Sequence, residues 1–219
     1  MKNIAIITTQ AFSLVNFRGP LIRTLSVQGI KVYALAPDFD ASLRTKVARL
    51  GAEPVDFVLS RASINPILDV IAVFRLSHLL KRISPEMTLA YFIKPVIYGS
   101  IAAWLARVPK RYSMIEGLGY VFENDARSQN LYRSLLRWAV NRIYKFALRL
   151  NDKVFFLNKD DISQFIEEGI VTDNKVVWID GIGLDLDHFR PAASVVEPAT
   201  FILIARLLRA KGVYDYVEA

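Results

Sequence analysis

Apolar runs rich in β-branched residues alternate with longer helix-like segments along most of the chain, and this alternation constrains the fold more than any other feature. The pattern is typical of βα units that build a parallel sheet. Most of the runs are nearly continuous in apolar residues, as expected of strands that helices cover on both faces. We therefore predict an α/β fold with a parallel sheet flanked by helices. The expected strands are 4–8, 31–35, 55–58, 88–93, 111–115, 153–157 and 176–179, and the expected helices are 18–28, 41–50, 65–82, 95–107, 128–150 and 160–168.

The alternation is interrupted near residue 185, where the composition changes. Residues 185–199 contain Pro191 and Pro198 with alanine, serine and valine between them, which is typical of a linker. A new strand is expected at 201–205, followed by a helix that begins at Val213. One strand and part of one helix cannot bury a core. We therefore predict a first domain at 1–184, a linker at 185–199, and only the opening of a second domain at 200–219.

The residue inventory excludes several kinds of site. The chain has no cysteine and only two histidines, His78 and His188, so we expect neither a zinc site nor a Cys/His nucleophile. The longest stretch without a charged residue, 3–17, is too short and too polar to span a bilayer. Nothing in the composition indicates secretion, so a cytoplasmic location is expected.

Charge is unevenly distributed along the chain. Residues 1–150 contain 21 lysines and arginines against 9 acidic residues, whereas residues 151–219 contain 7 against 12. A strongly basic first part indicates an anionic partner. A phosphate-bearing substrate, an acidic membrane surface and nucleic acid all fit this charge.

Polar groups follow three of the predicted strands, at the carboxyl edge where open parallel sheets bind ligands. After the first strand, Arg18 offers a phosphate partner, and Gly19 allows backbone to approach closely before a helix N-terminus. Lys94 begins the helix after the fourth strand, and Glu116 with Gly117 follows the fifth. One acid between two phosphate-binding loops suits transfer onto a hydroxyl of a phosphorylated acceptor. The alternative is that the cations are solvated surface charges and the glutamate only caps its loop.

The predicted helix 128–150 is basic and contains no acidic residue. Its predicted packed face includes Ile143 and Phe146. The other side combines cations with large aromatic side chains, which suits the headgroup layer of an anionic membrane. A solvated face and nucleic-acid binding are the alternatives. The residues expected to contact a membrane are Arg133, Arg137, Trp138, Arg142, Tyr144, Lys145 and Arg149.

Five segments of the chain resemble motifs of family 4 glycosyltransferases, which have the GT-B fold of two Rossmann-like domains facing across a cleft. The similarity is greatest to members that extend polyprenyl-pyrophosphate-linked sugars in bacterial surface polysaccharide synthesis, such as O-antigen or capsule. Each segment alone is a weak match, but their order and spacing agree with the family. The segments are NFRGPL at 16–21, YFIKPVIYG at 91–99, EGLGYVF at 116–122, GIGLDLDHFRP at 181–191 and ARLLRAKG at 205–212.

The resemblance implies a role for each matching residue. Glu116 would be the catalytic residue, either as a base or as a contact to the acceptor sugar. On the donor side, cations would neutralise a leaving nucleoside diphosphate. The implied acceptor-binding residues are Phe17, Arg18, Gly19, Lys94 and Gly117, and the implied donor-binding residues are Gly183, Arg206 and Lys211.

The implied reaction is retaining transfer of a hexose or N-acetylhexosamine from a nucleotide sugar, expected to be a UDP-sugar, to an undecaprenyl-pyrophosphate-linked sugar. No metal or other cofactor is expected, and nucleic acid is not an expected partner. The enzyme would act as a peripheral protein on the inner face of the plasma membrane. Because the family's donor-sugar contacts would lie beyond residue 219, the chain alone is predicted to be inactive. The alternative is a non-catalytic module of the same fold that binds a glycolipid or a nucleotide.

Overall fold

The computed structural model describes residues 2–59, 66–117, 131–183, 185–186, 189–190, 201–205, 207 and 211–218. In the helix that begins at Leu131, side chains are described for residue 138 and from residue 140 onwards. The chain divides into two compact units, Met1–Leu184 and Asp185–Ala219. No helix within the described ranges is long and apolar enough to cross a membrane.

The first unit alternates strands and helices, as the sequence predicts. The strands are β1 (Asn3–Ile7), β2 (Lys31–Ala36), β3 (Ala52–Asp56), β4 (Met87–Tyr91), β5 (Lys110–Ile115), β6 (Lys153–Phe156) and β7 (Val176–Trp178). The helices are α1 (Ala11–Asn16), α2 (Gly19–Val27), α3 (Ala41–Arg49), α4 (Pro66–Ile83), α5 (Ser100–Leu105), α6 (Leu131–Arg149) and α7 (Lys159–Glu167).

All seven strands form one parallel sheet in the order β3-β2-β1-β4-β5-β6-β7. This confirms the predicted Rossmann-like α/β fold. The strand order reverses between β1 and β4, which are neighbours although two strands separate them in the chain. Such a reversal opens a crevice at the carboxyl edge of the sheet, where ligands bind in folds of this class.

Helices pack against both faces of the sheet. Side chains alternate along each strand, so Ile6 of β1 packs with α1 to α3, whereas Ile7 packs with α4 and α5. The helices α6 and α7 form a third apolar cluster with β5 and β6, on the same face as α4. Tyr98 and Ile101 contribute to both clusters on that face, and α5 contacts both α4 and α6.

Two loops differ from the prediction, and both follow strands at the carboxyl edge. The short helix α1 occupies a segment that was expected to be a loop; the backbone N–H of its first residue, Ala11, donates to Asp38 (2.7 Å). The helix expected at 95–107 begins instead with a π-helical turn, Pro95–Gly99. Just before that turn, Phe92 has φ 68°, which is rare for a residue with a side chain. Both π-turns and such backbone strain are frequent at functional sites.

The second unit contains one described helix, α8 (Val213–Glu218). The hydroxyl of Tyr216 donates to the carbonyl of Phe201 (2.8 Å). Residues 201–205 were predicted to form a strand, but the structure describes them as irregular, and Phe201, Ile202 and Ile204 are exposed. Among the described residues of this unit, no strand offers the backbone hydrogen bonds that define a ladder.

Candidate active site

The carboxyl ends of β1, β4 and β5 lie side by side because these strands are neighbours in a parallel sheet. The structure brings the turn between α1 and α2 into contact with the loop after β5. Arg18 lies between α1 and α2, and Glu116 directly follows β5. Lys94 follows β4, the strand between them.

Arg18 and Glu116 form an ion pair through Nη2 and Oε1. The Arg18 side chain is 2% exposed, whereas that of Glu116 is 18% exposed. Nη2 also lies 3.1 Å from the sulfur of Met114, and Nη1 donates to the carbonyl of Phe17 (3.2 Å). The guanidinium of Arg18 is thus buried against a carboxylate, and the phosphate contact expected of it stays a prediction. Its position makes it a support for Glu116.

The aromatic ring of Tyr91 also contacts the guanidinium of Arg18. The centre of the guanidinium lies 4.4 Å from the centroid of the Tyr91 ring, in range for a cation–π interaction. The Tyr91 hydroxyl forms a 2.6 Å hydrogen bond with Ser13, whose hydroxyl also lies 3.2 Å from that of Thr8. Burial raises the pKa of Tyr91, while the hydrogen bond with Ser13 opposes the shift. The phenol is therefore neutral at physiological pH.

The charge of Arg18 persists despite its burial. Burial lowers the pKa of the guanidinium, and the neighbouring Tyr91 opposes that effect. Arginine side chains remain protonated in proteins because their ordinary pKa is so high. A permanent cation therefore faces Glu116, and the carboxylate is held in one position by it.

Lys94 also forms an ion pair that the sequence did not predict. Its Nζ lies 2.9 Å and 3.1 Å from the two carboxylate oxygens of Asp69 on α4, and the hydroxyl of Tyr98 donates to the same carboxylate (2.8 Å). Burial, reinforced by the hydrogen bond to Asp69, raises the pKa of Tyr98 above its ordinary value. Lys94 is therefore not a solvated surface charge. Asp69 partly neutralises its positive charge, so less of that charge is available to a phosphate.

The remaining acceptor-side residues surround the ion pair of Arg18 and Glu116. Phe17 is partly exposed and packs edge-to-face against Phe12, with ring centroids 5.8 Å apart. Gly117 has φ 133°, a conformation that favours glycine, and open space surrounds its Cα. At Gly19, a Cβ would meet only Leu50, at 3.7 Å, so packing within the protein does not require glycine there, and the expected approach to an anion stays a prediction.

The donor-side residues are described only in part. Gly183 is exposed and has φ 79°. Lys211 is exposed and belongs to the second unit. Arg206 lies outside the described residues. The roles that the family resemblance implies for these three residues stay predictions.

The helix α6 is rotated about its axis relative to the prediction, so a different set of side chains faces outward. Tyr144 was expected to contact a membrane, but it is buried and packs edge-to-face on Phe165 of α7, which corrects that prediction. Burial raises its pKa. Ile143 and Phe146, expected to be packed, are exposed instead. The helix turns in this way because the aromatic cluster with α7 accepts the ring of Tyr144.

The other described residues of the predicted membrane set lie on or near the surface of α6. Trp138 is exposed, and the guanidinium of Arg142 lies 5.3 Å from its ring. Arg149 is exposed, and Lys145 is partly exposed. The side chains of Arg133 and Arg137 lie outside the described residues. The outer side of this helix therefore combines cations with Trp138, Ile143 and Phe146.

Known proteins resemble this chain both in sequence and in fold. The sequence profile of the family described as "Glycosyl transferase 4-like" matches residues 20–150. The chain is 26% identical, over 94% of its length, to the N,N'-diacetylbacillosaminyl-diphospho-undecaprenol alpha-1,3-N-acetylgalactosaminyltransferase of Campylobacter jejuni. It spans 57% of that relative's length.

Solved structures share the fold at low sequence identity. A glycosyltransferase from Rickettsia africae superposes with a TM-score of 0.58 and 15% identity, over 90% of this chain and 47% of that one. The UDP-GlcNAc 2-epimerase of Neisseria meningitidis bound to UDP-GlcNAc superposes with a TM-score of 0.56 and 16% identity, over 83% of this chain and 47% of that one. In each case the chain spans about half of the solved protein's length.

Proposed function

Because this chain belongs to the glycosyl transferase 4-like family, we propose that its protein transfers a sugar from a nucleotide donor to a sugar carried on a polyprenyl diphosphate. The observation that supports this most directly is Glu116, a partly exposed carboxylate that buried Arg18 holds at the carboxyl edge of the sheet. A fixed carboxylate can orient an acceptor hydroxyl and accept its proton as the new glycosidic bond forms.

The proposed acceptor is an undecaprenyl-diphosphate-linked sugar. The Campylobacter jejuni relative is named for such a substrate, and the basic first part of this chain suits a diphosphate. In the proposed complex the acceptor sugar lies at Glu116 and Gly117. Phe17, whose ring is partly exposed, packs against the sugar, and Lys94 contributes a partly neutralised positive charge.

The proposed donor is a UDP-sugar that carries a hexose or an N-acetylhexosamine. The solved epimerase with the same fold holds UDP-GlcNAc, and the relative transfers N-acetylgalactosamine. Lys211 and Arg206 would neutralise the diphosphate that leaves, and Gly183 would lie at the domain crossing. We further propose that the reaction retains anomeric configuration and requires no metal, with the enzyme bound peripherally to the inner face of the plasma membrane.

The test is an assay of the whole protein with synthetic undecaprenyl-diphosphate-linked sugars and a panel of UDP- and GDP-sugars, read by mass spectrometry. We expect one added sugar with a UDP donor, unchanged turnover in EDTA, and at least a hundredfold lower turnover for Glu116→Gln. The anomeric configuration of the product follows from NMR. Binding of acceptor and donor without turnover would instead support a non-catalytic module and overturn the proposal.

A further inference from the structure

The outer face of α4 has an exposed apolar first half. Five large side chains of this half are between 42% and 69% exposed, although Ala72 and Leu76 of the same helix are buried against the sheet. Spacings of three and four residues place most of them on one side of the helix. These residues, here named the α4 patch, are Ile67, Leu68, Val70, Ile71 and Phe74.

The second half of the same outer face is basic. Arg75, His78, Lys81 and Arg82 are all exposed. Asp69 is the one acidic residue in the sequence of α4, and it is buried in its ion pair with Lys94. The outer face of α4 is thus apolar at its first end and positively charged at its second.

The topology places the α4 patch at the same edge of the sheet as the candidate active site. A helix that follows a parallel strand begins at the carboxyl edge, and α4 follows β3. Leu68 and Val70 are exposed, whereas Asp69, which lies between them in the chain, is buried and pairs with Lys94. The first turns of α4, which carry the patch, are therefore joined to the loop after β4 by the ion pair of Asp69 and Lys94.

The neighbouring helices extend this surface on the same face of the sheet. The helix α5 contacts both α4 and α6, and it exposes Trp104. On α6, Trp138 and Phe146 are exposed beside the exposed cations Arg142 and Arg149. Large apolar and aromatic groups mixed with cations match the headgroup layer of a bilayer that contains anionic lipids.

We propose that the α4 patch is a membrane-docking surface that inserts into the headgroup layer of an anionic bilayer. The basic half of α4 then lies against the lipid phosphates, each cation adding to the attraction. This inference deepens the proposed function, since it names the surface that would bring the site next to a lipid-linked acceptor. A second copy of the chain fits less well, because the one acidic residue of α4, Asp69, is buried, so α4 of another copy would offer no exposed carboxylate to the cations of the basic half.

Residues 1–219 contain no cysteine, so a single introduced thiol can be labelled once any cysteine elsewhere in the whole protein has been replaced by serine. Phe74→Cys carries an environment-sensitive fluorophore in the whole protein, and Val27→Cys is the matched control because it is 83% exposed on α2, on the opposite face of the sheet. With vesicles of phosphatidylcholine and 30% phosphatidylglycerol, we expect a blue shift and increased emission at position 74 and no change at position 27. Pure phosphatidylcholine vesicles should give a weaker response.

Unlabelled variants measure how much the patch contributes to binding. Ile71→Gln with Phe74→Gln should lower the partition coefficient into the anionic vesicles at least tenfold, whereas Val27→Gln leaves it unchanged. Both variants alter exposed side chains, and circular dichroism checks that they fold. Unchanged binding of the patch variant, an unchanged label at 74 on bound protein, or a lipid-free dimer that the patch variant dissociates would overturn the proposal.

Turnover with a short, water-soluble acceptor analogue separates this proposal from the proposed function. Loss of vesicle binding with normal turnover on the soluble analogue supports the docking surface. Vesicle binding through position 74 in a protein that transfers no sugar to either acceptor would support the surface and reject the transferase function.

Discussion

The guanidinium of Arg18 and the carboxylate of Glu116, 98 residues apart in the chain, form an ion pair at the carboxyl edge of the sheet. The two partners are unequally buried: Arg18 is fully enclosed, whereas Glu116 retains contact with solvent. Nε of Arg18 is buried with no hydrogen-bond partner among the described residues, so the guanidinium depends strongly on this carboxylate. Loss of one partner should therefore not cost the same as loss of the other.

Glu116→Ala is expected to destabilise the protein more than Arg18→Met does. Removing Glu116 leaves a buried cation without its partner, which costs about 3 kcal/mol, whereas removing Arg18 leaves a carboxylate that water can reach, at about 1 kcal/mol. Urea unfolding of the two variants and of the Arg18→Met/Glu116→Ala double variant measures this difference and the coupling between the two residues. Equal losses, or strictly additive ones, would show that the pair is not coupled in solution.

Arg18 should affect turnover only through Glu116. Arg18→Met is expected to lower kcat/KM for the lipid-linked acceptor roughly tenfold or more, the scale of a lost charged hydrogen bond. In a Glu116→Gln background the same change should have little further effect, because the group that Arg18 positions is already altered. A full, additive loss in the double variant would indicate that Arg18 contacts the substrate itself.

Asp69→Asn should loosen the loop after β4. The amide keeps the shape of the side chain but removes the charge that faces Lys94, and we expect a loss of about 1–2 kcal/mol in the free energy of unfolding. Tyr98→Phe removes only the 2.8 Å hydrogen bond to Asp69 and should cost about 1 kcal/mol. Thermal unfolding of both variants compares the two costs; a larger loss for Tyr98→Phe would contradict the assignment.

Gly117 and Gly19 should respond oppositely to alanine. Gly117 has φ 133°, so Gly117→Ala imposes backbone strain of about 2 kcal/mol although the space around it is open. Gly19 begins α2 and a Cβ there makes only an ordinary contact with Leu50, so Gly19→Ala should be neutral or stabilising by about 0.5 kcal/mol. Chemical denaturation of the two variants provides the comparison, and destabilisation by both would be inconsistent with it.

We expect Asp161, in the first turn of α7, to make the stability of the protein depend on pH. Burial raises the pKa of its carboxyl, and the 2.9 Å hydrogen bond from Asn158 opposes the shift. The folded state binds the proton of Asp161 more tightly than the unfolded state does. The stability that this proton gives the protein is therefore lost as pH rises from 3.8, the ordinary pKa of the group, through the raised pKa. The stability of Asp161→Asn relative to the parent should therefore increase across this interval in urea titrations. A difference that is independent of pH would refute the assignment.

The sheet could be predicted from the sequence because its strands have short apolar runs bounded by turn residues. The run predicted at 31–35 forms β2 at Lys31–Ala36, and that predicted at 153–157 forms β6 at Lys153–Phe156. Helix faces were less predictable. The periodicity of α6 predicted that Ile143 faces inward, but Tyr144 does so instead, in contact with Phe165 of α7.

The candidate site was predictable only as a set of strand-terminal residues. The spacing of Arg18 and Glu116 after their strands indicated one edge of the sheet, and both lie there. Their ion pair depends on the reversal of strand order between β1 and β4, which a linear pattern does not encode. Asp69 was missed because it is the one acidic residue of α4, in the apolar first half of the helix, and the sequence does not show which cation pairs with it.

The long helix α4 also has a mechanical consequence for the domain. It crosses from β3 at the sheet's border to β4 near its middle, and its eighteen residues span roughly 27 Å. Its buried side forms one apolar cluster with Leu35 of β2, Ile7 of β1 and Ala90 of β4. The outer face of α4 is thus supported from below by three strands of the sheet. The orientation of α4 against a surface would therefore also orient the strands that end beside Glu116.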